Sequence, residues 1–210
     1  MSNVGLFYVG AVLIVNGIML LGRITPSSAA PLNLFVGAMQ VVFPTIILVT
    51  ADGDAATIAG ASGLYLFGFT YLWVGVNGVT GWPAEGLGWF SLFVAVAAVG
   101  YAAHTWSTGG RVFVVIWLAW AALWLLFFVV LGLGRTEFTR FTGALAVTEG
   151  VLTAAVPAGV ALAGLWSDSG SAAMVAAVVG CCVVAALWLI FRPAARPAAT
   201  AQSRSVRAEA

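Results

Sequence analysis

The sequence predicts an all-α membrane protein, a polytopic bundle of about seven transmembrane helices. Three observations carry this. Of the 210 residues, 62% are hydrophobic and 7% charged, whereas soluble domains carry about 25% charged residues. Mean hydropathy is +1.09, more apolar surface than a soluble core could hide. Seven apolar stretches divide the chain, at 4–21, 32–50, 58–79, 87–103, 112–133, 141–165 and 173–191. Each is near the ~17–25 residues that span a bilayer as helix, and none alternates residue by residue as the strands of a membrane barrel do.

The first stretch lacks a basic leader and an A-x-A-like site, so it is expected to remain as a helix. Breakers and polar residues mark the connectors: Thr25-Pro26-Ser27-Ser28, Asp52-Gly53-Asp54, Gly81-Trp82-Pro83, Ser107-Thr108-Gly109-Gly110 and Ser167-Asp168-Ser169-Gly170. Residues 1–165 hold the first six of these helices, 166–191 the seventh as an additional transmembrane helix, and 192–210 a tail rich in Ala, Pro, Ser and Arg that reads as disordered, basic and cytoplasmic. Tyr8 to Gly17 and Tyr71 to Gly78 share a Tyr…Asn-Gly pattern. A repeat and convergence on a helix-ending Asn-Gly are equally open.

Arginine placement sets the expected topology. Seven helices put Arg23, Arg135, Arg140, Arg192, Arg196, Arg204 and Arg207 on one side, and Arg111 alone on the other with Asp52, Asp54 and Asp168. Positive residues concentrate in cytoplasmic loops. The N-terminus is therefore expected outside and the C-terminus in the cytoplasm of a bacterial inner membrane.

Several chemistries lack their residues. The single histidine, His104, sits in a connector and cannot build a bis-His haem or a His-rich metal site. With no lysine there can be no retinal Schiff base. No phosphate loop, dinucleotide loop or nucleophile elbow is present. No cofactor or metal is expected, the net charge of +1 gives no nucleic-acid signal, and an enzyme is the poorest reading. Adjacent Cys181 and Cys182 point in different directions on a helix and read as small buried hydrophobes.

Two features remain that carry function. Glu149 is the only acidic residue well inside an apolar stretch, and such residues face a bundle interior or a water-filled path. It is either a structural acid satisfied inside the bundle or a pore-lining group. Trp117, Trp120 and Trp124 fall on one helical stripe beside Leu123, and Phe67 and Tyr71 lie one turn apart with Thr70 alongside. The stripe is either packing or a narrow slot, in which aromatic walls stack on a flat neutral solute while hydroxyls and indole N–H groups hold its polar edge. Asn16, Asn33, Gln40, Asn77, Thr148 and Thr153 are explained by interhelical hydrogen bonding.

The residues then resemble a known family, the AmiS/UreI urea and amide channels. The matching stretches are F-Y-V-G-A-V-L-I-V-N-G-I (7–18), N-L-F-V-G (33–37), L-F-G-F-T-Y-L (66–72), W-F-S-L-F-V-A (89–95), I-W-L-A-W-A-A-L-W-L (116–125) and T-E-G-V-L-T-A-A-V-P-A (148–158). The resemblance implies a homohexameric ring with one channel through each protomer and two hydrophobic constrictions. It implies Leu13 and Val36 toward one constriction, and Phe67, Tyr71, Trp117, Trp120, Leu123 and Trp124 around the other, with Glu149 as the family's intramembrane glutamate. It also implies passive passage of urea or a short aliphatic amide toward a cytoplasmic urease or amidase.

Two departures stand out. Acid-gated members carry a histidine-bearing loop between the second and third helices, where this chain reads A-D-G-D-A-A-T. Histidine is the usual sensor near pH 5–6, so a channel not gated in that way is expected, with Asp52 and Asp54 as weaker sensors. Ala155 and Gly159 stand where the acid-gated type carries tryptophans. Two other functions compete: a seven-helix alternating-access transporter for a small neutral solute, and a membrane sensor or scaffold using the basic tail.

Overall fold

The computed structural model describes residues 2–192, so the basic tail beyond Arg192 lies outside the described residues. Every regular element among them is helical, and seven spans are long and apolar enough to cross a membrane. They are α1 (Ser2–Leu20), α2 (Pro26–Val49), the pair α3 (Ala55–Ser62) and α4 (Leu64–Thr80), α5 (Glu85–Ser107), α6 (Arg111–Phe127), the pair α7 (Thr139–Glu149) and α8 (Val156–Leu162), and α9 (Gly170–Phe191).

Local chemistry explains where the spans begin and bend. The sequence places Thr25 and Pro26 in a connector, yet they start α2. Thr25 is extended, its hydroxyl accepts from Ser28 N at 3.2 Å, and Pro26 takes the first helical position, where no N–H is needed. The span therefore starts at Pro26 rather than at 32. His104 likewise belongs to the last turn of α5 rather than to a connector. Gly63 breaks the third span, and a Cβ there would lie 3.1 Å from Trp117 and 3.2 Å from Tyr101. In the sixth span Pro157 has no N–H to close the ladder. The preceding residues, Gly150–Ala155, widen into a π-turn directly after Glu149.

Helices pair through glycine, as membrane interfaces without a hydrophobic drive require. On α1, a Cβ at Gly10 would lie 2.6 Å from Ala155 N, and one at Gly17 would lie 2.5 Å from Gly143 O. Gly150 and Gly143 face them in return, where a Cβ would lie 2.9 Å and 3.0 Å from the Gly10 and Gly17 carbonyl oxygens. Two residues seven apart on each helix thus lock α1 antiparallel to the sixth span. Gly78 meets Pro26 O in the same way, and Gly88 meets Gly132 in the π-turn Phe128–Gly132 that ends the fifth span. The glycines of the two Asn-Gly pairs therefore seat helices together and do not terminate them.

α9 is different. None of its residues is buried. It is fastened at its two ends. Asp168 Oδ1, in its lead-in, accepts from Val112 N at 2.9 Å. Near the other end Trp188 stacks on Phe138 and meets Phe141 edge-on, and Arg140 lies 5.7 Å over the Phe191 ring. Cys181 and Cys182 are exposed on this helix. The expectation that they are buried fails because α9 packs on the bundle's outside.

Candidate solute pathway

A cavity of about 520 Å³ opens at the end of the bundle that carries Arg23. Its walls come from the last turns of α1 and α4, the first turns of α2 and α5, and Phe127 and Leu131 at the end of the fifth span. None of its lining residues carries a charge. Leu13, Thr70 and Tyr71 lie deepest along their helices, Asn16 is intermediate, and Asn77, Gly81 and Trp82 stand at the mouth.

Beyond Thr70 the way is filled with rings. Phe67 sits edge-on to Trp120 and Trp124, with centroids 4.8 Å and 5.1 Å away, and is stacked on Trp117 at 5.8 Å. Leu123 and Trp124 have no exposed surface. The sequence-derived stripe is thus a real cluster, in which Phe67, Trp117, Trp120 and Trp124 touch and Thr70 marks its junction with the cavity. Two residues extend it that the sequence reading missed. Tyr101 of α5 stacks on Trp117 at 4.8 Å and shares a 2.6 Å hydroxyl contact with Ser62 at the break in the third span. Phe127 meets Trp124 at 5.8 Å at the other extreme. Tyr101 stands in an Ala- and Gly-rich stretch with no aromatic partner at helical spacing, so periodicity could not single it out.

The indole N–H groups of Trp120 and Trp124 are spoken for. Trp124 Nε1 donates to Thr70 Oγ1 at 3.3 Å, and that hydroxyl donates to Leu66 O at 2.7 Å. Trp120 Nε1 donates to Thr153 Oγ1 at 2.9 Å, and Thr153 donates to the Glu149 carbonyl at 2.6 Å. The expectation that indole N–H groups hold a solute's edge is therefore corrected for these two tryptophans: both donors are consumed within the protein. The chain Trp120–Thr153–Glu149 explains the π-turn's placement, since it ties the widened backbone to the aromatic cluster.

Glu149 is 5% exposed, and its Oε2 has no hydrogen-bond partner. It lies on the α1-facing sixth span and does not line the cavity. Val36 is buried in α2 within the same apolar core, again away from the cavity wall. Asn16 and Asn33 behave as interhelical fasteners, exchanging two hydrogen bonds at 2.9 Å and 2.7 Å. Two residues of the cavity wall carry buried atoms without partners among the described residues, Tyr71 Oη and Asn77 Oδ1.

The sequence profile of the AmiS/UreI family, described as a family of transporters, matches residues 1–165. The chain belongs to the AmiS/UreI family. Its likeness to one family protein, named as an amidate substrates transporter of Mycolicibacterium smegmatis, is 55% identity over 201 residues, covering 95% of this chain and 94% of the relative. A protein of Rhodococcus erythropolis named as the transporter AmiS2 is 57% identical over 165 residues, covering 78% and 80%. The crystal structure of the urea channel from Helicobacter pylori superposes with a TM-score of 0.72 at 34% identity, over 80% of this chain and all of that one. The shared fold is that of a helical membrane channel, and the AmiS/UreI match ends at residue 165, before α9 begins.

Proposed function

We infer that this protein is a passive channel of the bacterial inner membrane for urea or short aliphatic amides. One observation carries the reading: an uncharged vestibule runs along the bundle and ends on a tight aromatic and leucine slot. A cation or carboxylate entering such walls would leave its water uncompensated, whereas a small planar neutral molecule stacks and slides. Relatives named for amidate substrates and for urea point to the same solute class. Residues 1–165 form the channel core and 166–191 an accessory helix. Leu13 and Val36 flank one constriction; Phe67, Thr70, Tyr71, Trp117, Trp120, Leu123 and Trp124 form the other, near Glu149.

The arginine-rich end faces the cytoplasm, so the N-terminus is outside and the vestibule opens inward. A hexameric ring of such protomers would feed a cytoplasmic amidase or urease, whose consumption of the solute sets net direction. Liposomes carrying the purified protein test this by stopped-flow recovery from shrinkage. Urea or acetamide should enter fast and without saturation, with glycerol slow. Saturation at low concentration or coupling to a proton gradient would support alternating access instead. Entry no faster than into empty liposomes ends the reading and leaves a sensor or scaffold.

A further inference from the structure

The vestibule is far larger than the solute that the slot can pass. Its volume of about 520 Å³ falls within the ~300–1,000 Å³ of pockets that hold drug-sized ligands. Its wall has the composition of such a site: mostly apolar, with a few polar atoms in fixed places. Leu87, Phe127 and Leu131 supply apolar surface, and Trp82 stands at the mouth. Toward the slot, Tyr71 is 1% exposed, and its hydroxyl has no hydrogen-bond partner among the described residues. Asn77 Oδ1 is likewise unpartnered nearer the mouth. The neighbouring hydroxyl of Thr70 is engaged by the Trp124 indole and Leu66 O, and the Trp120 indole by Thr153. Tyr71 Oη is therefore an unspent donor at the inner end of the vestibule, and because it is buried a carbonyl reaches it by shifting the side chains around it.

We propose that the vestibule is a binding site for carboxamides bearing an apolar group too wide for the slot. The carbonyl oxygen accepts from Tyr71 Oη, and the apolar group lies against Leu87, Phe127 and Leu131. Such a molecule occupies the vestibule without passing the Phe67–Trp124 contact, and so blocks the smaller solute. The matching carboxylate does not bind, because no cation among the described residues lines the wall and a buried anion without a counter-charge is costly. This rests on the channel reading for its flux assay but not for its binding assay.

Benzamide and benzoate are the probes, used on the full chain in liposomes with acetamide as permeant. Benzamide should slow acetamide entry saturably, while benzoate at equal concentration leaves it unchanged. In Tyr71→Phe the half-inhibiting concentration should rise about five-fold, the worth of one net hydrogen bond. Unchanged acetamide entry at all benzamide concentrations overturns the proposal, as does equal inhibition by benzoate or an unshifted curve in Tyr71→Phe. Binding is read separately from tryptophan fluorescence of the purified protein, taken as the difference from Trp82→Phe. If acetamide itself fails to enter, the channel reading falls, and this signal alone decides. Benzamide-dependent change weakened in Tyr71→Phe keeps the site, and no change removes it.

Discussion

The two ends of the bundle are built by different chemistry. At the arginine-bearing end the helices around the cavity meet backbone to backbone through glycine, Gly17 with Gly143, Gly78 with Pro26 and Gly88 with Gly132, and only the peripheral α9 is held there by stacked rings. At the opposite end side chains do the fastening. Ser62 holds Tyr101, Tyr101 stacks on Trp117, Arg111 lies 3.9 Å over Trp106, and Asp168 caps the start of α6. The contrast accounts for the vestibule. Glycine draws helices together pair by pair and fills nothing between the pairs, so space remains among five of them. Large side chains that stack across the bundle fill that space. The aromatic cluster lies where one mode gives way to the other.

The largest expected effect comes from breaking the glycine end. Gly17→Leu forces a side chain into the Gly143 carbonyl and the Val147 backbone, both of which a Cβ already crowds at 2.5–2.7 Å. Backbone cannot yield as a side-chain tip can, so destabilisation should reach or pass the upper end of the ~1–3 kcal/mol typical of overpacking. Gel filtration in detergent should show loss of the assembled protein. An unchanged elution profile would mean that the α1–α7 seam is not what holds this end together.

Next comes the boundary itself. Leu123→Ala opens room beside Trp120 and Trp124 at a site with no exposed surface. Its stability cost should be about 2–5 kcal/mol, and entry of a solute wider than urea should rise several-fold relative to urea. Trp124→Phe keeps most of the packing but deletes the donor to Thr70. It should alter the urea-to-acetamide ratio with the protein still folded. Constant ratios in both variants would remove the slot from the solute's path.

A smaller effect is expected from the capping end. Asp168→Ala removes the acceptor for Val112 N, one of the unpaired donors at the start of α6. Lost caps cost about 1 kcal/mol, which a thermal melt in detergent resolves, while flux should hold. A sharp fall in flux would show that the α9 lead-in shapes the pathway. Glu149→Gln should also preserve assembly, because Oε2 makes no hydrogen bond that the amide would break. Failure to assemble would instead reveal a charge partner.

Legibility in the sequence followed the same division. The seven spans, the tryptophan stripe and the isolated Glu149 were readable because hydropathy and helical spacing are local properties. The Asn16–Asn33 pair was expected only as a type of interaction, since the register between α1 and α2 is set by packing. Asp168 looked like an ordinary loop acid because its partner is 56 residues away. Tyr101 needed the fold to meet Trp117. The cysteines were misjudged because an apolar run reads alike whether it faces protein or lipid. The π-turn was hidden too: Pro157 announces a disturbed ladder, but not that the helix widens rather than kinks.

The smallest expected effect is no effect, and it sharpens the contrast with the relative named as an acid-activated urea channel of Helicobacter pylori. At the capping end, the Asp54 carboxylate accepts from Thr57 N at 2.8 Å at the start of α3. Hydrogen bonding from the Thr57 side chain first, then its backbone, holds this carboxyl below its ordinary value of 3.8. The sign follows from the depressed value. The cap's contribution is present above the unfolded value and is lost only as pH falls through the lower, folded one. Between pH 7.5 and pH 5 the carboxylate stays ionised and the start of α3 stays capped. Asp54 thus cannot act as a sensor in that range, and the connector before it holds no histidine. Solute entry into liposomes should be equal at the two pH values. Entry confined to pH 5 would turn attention to His104, exposed at the same end of the bundle on α5, and His104→Gln should then abolish the difference.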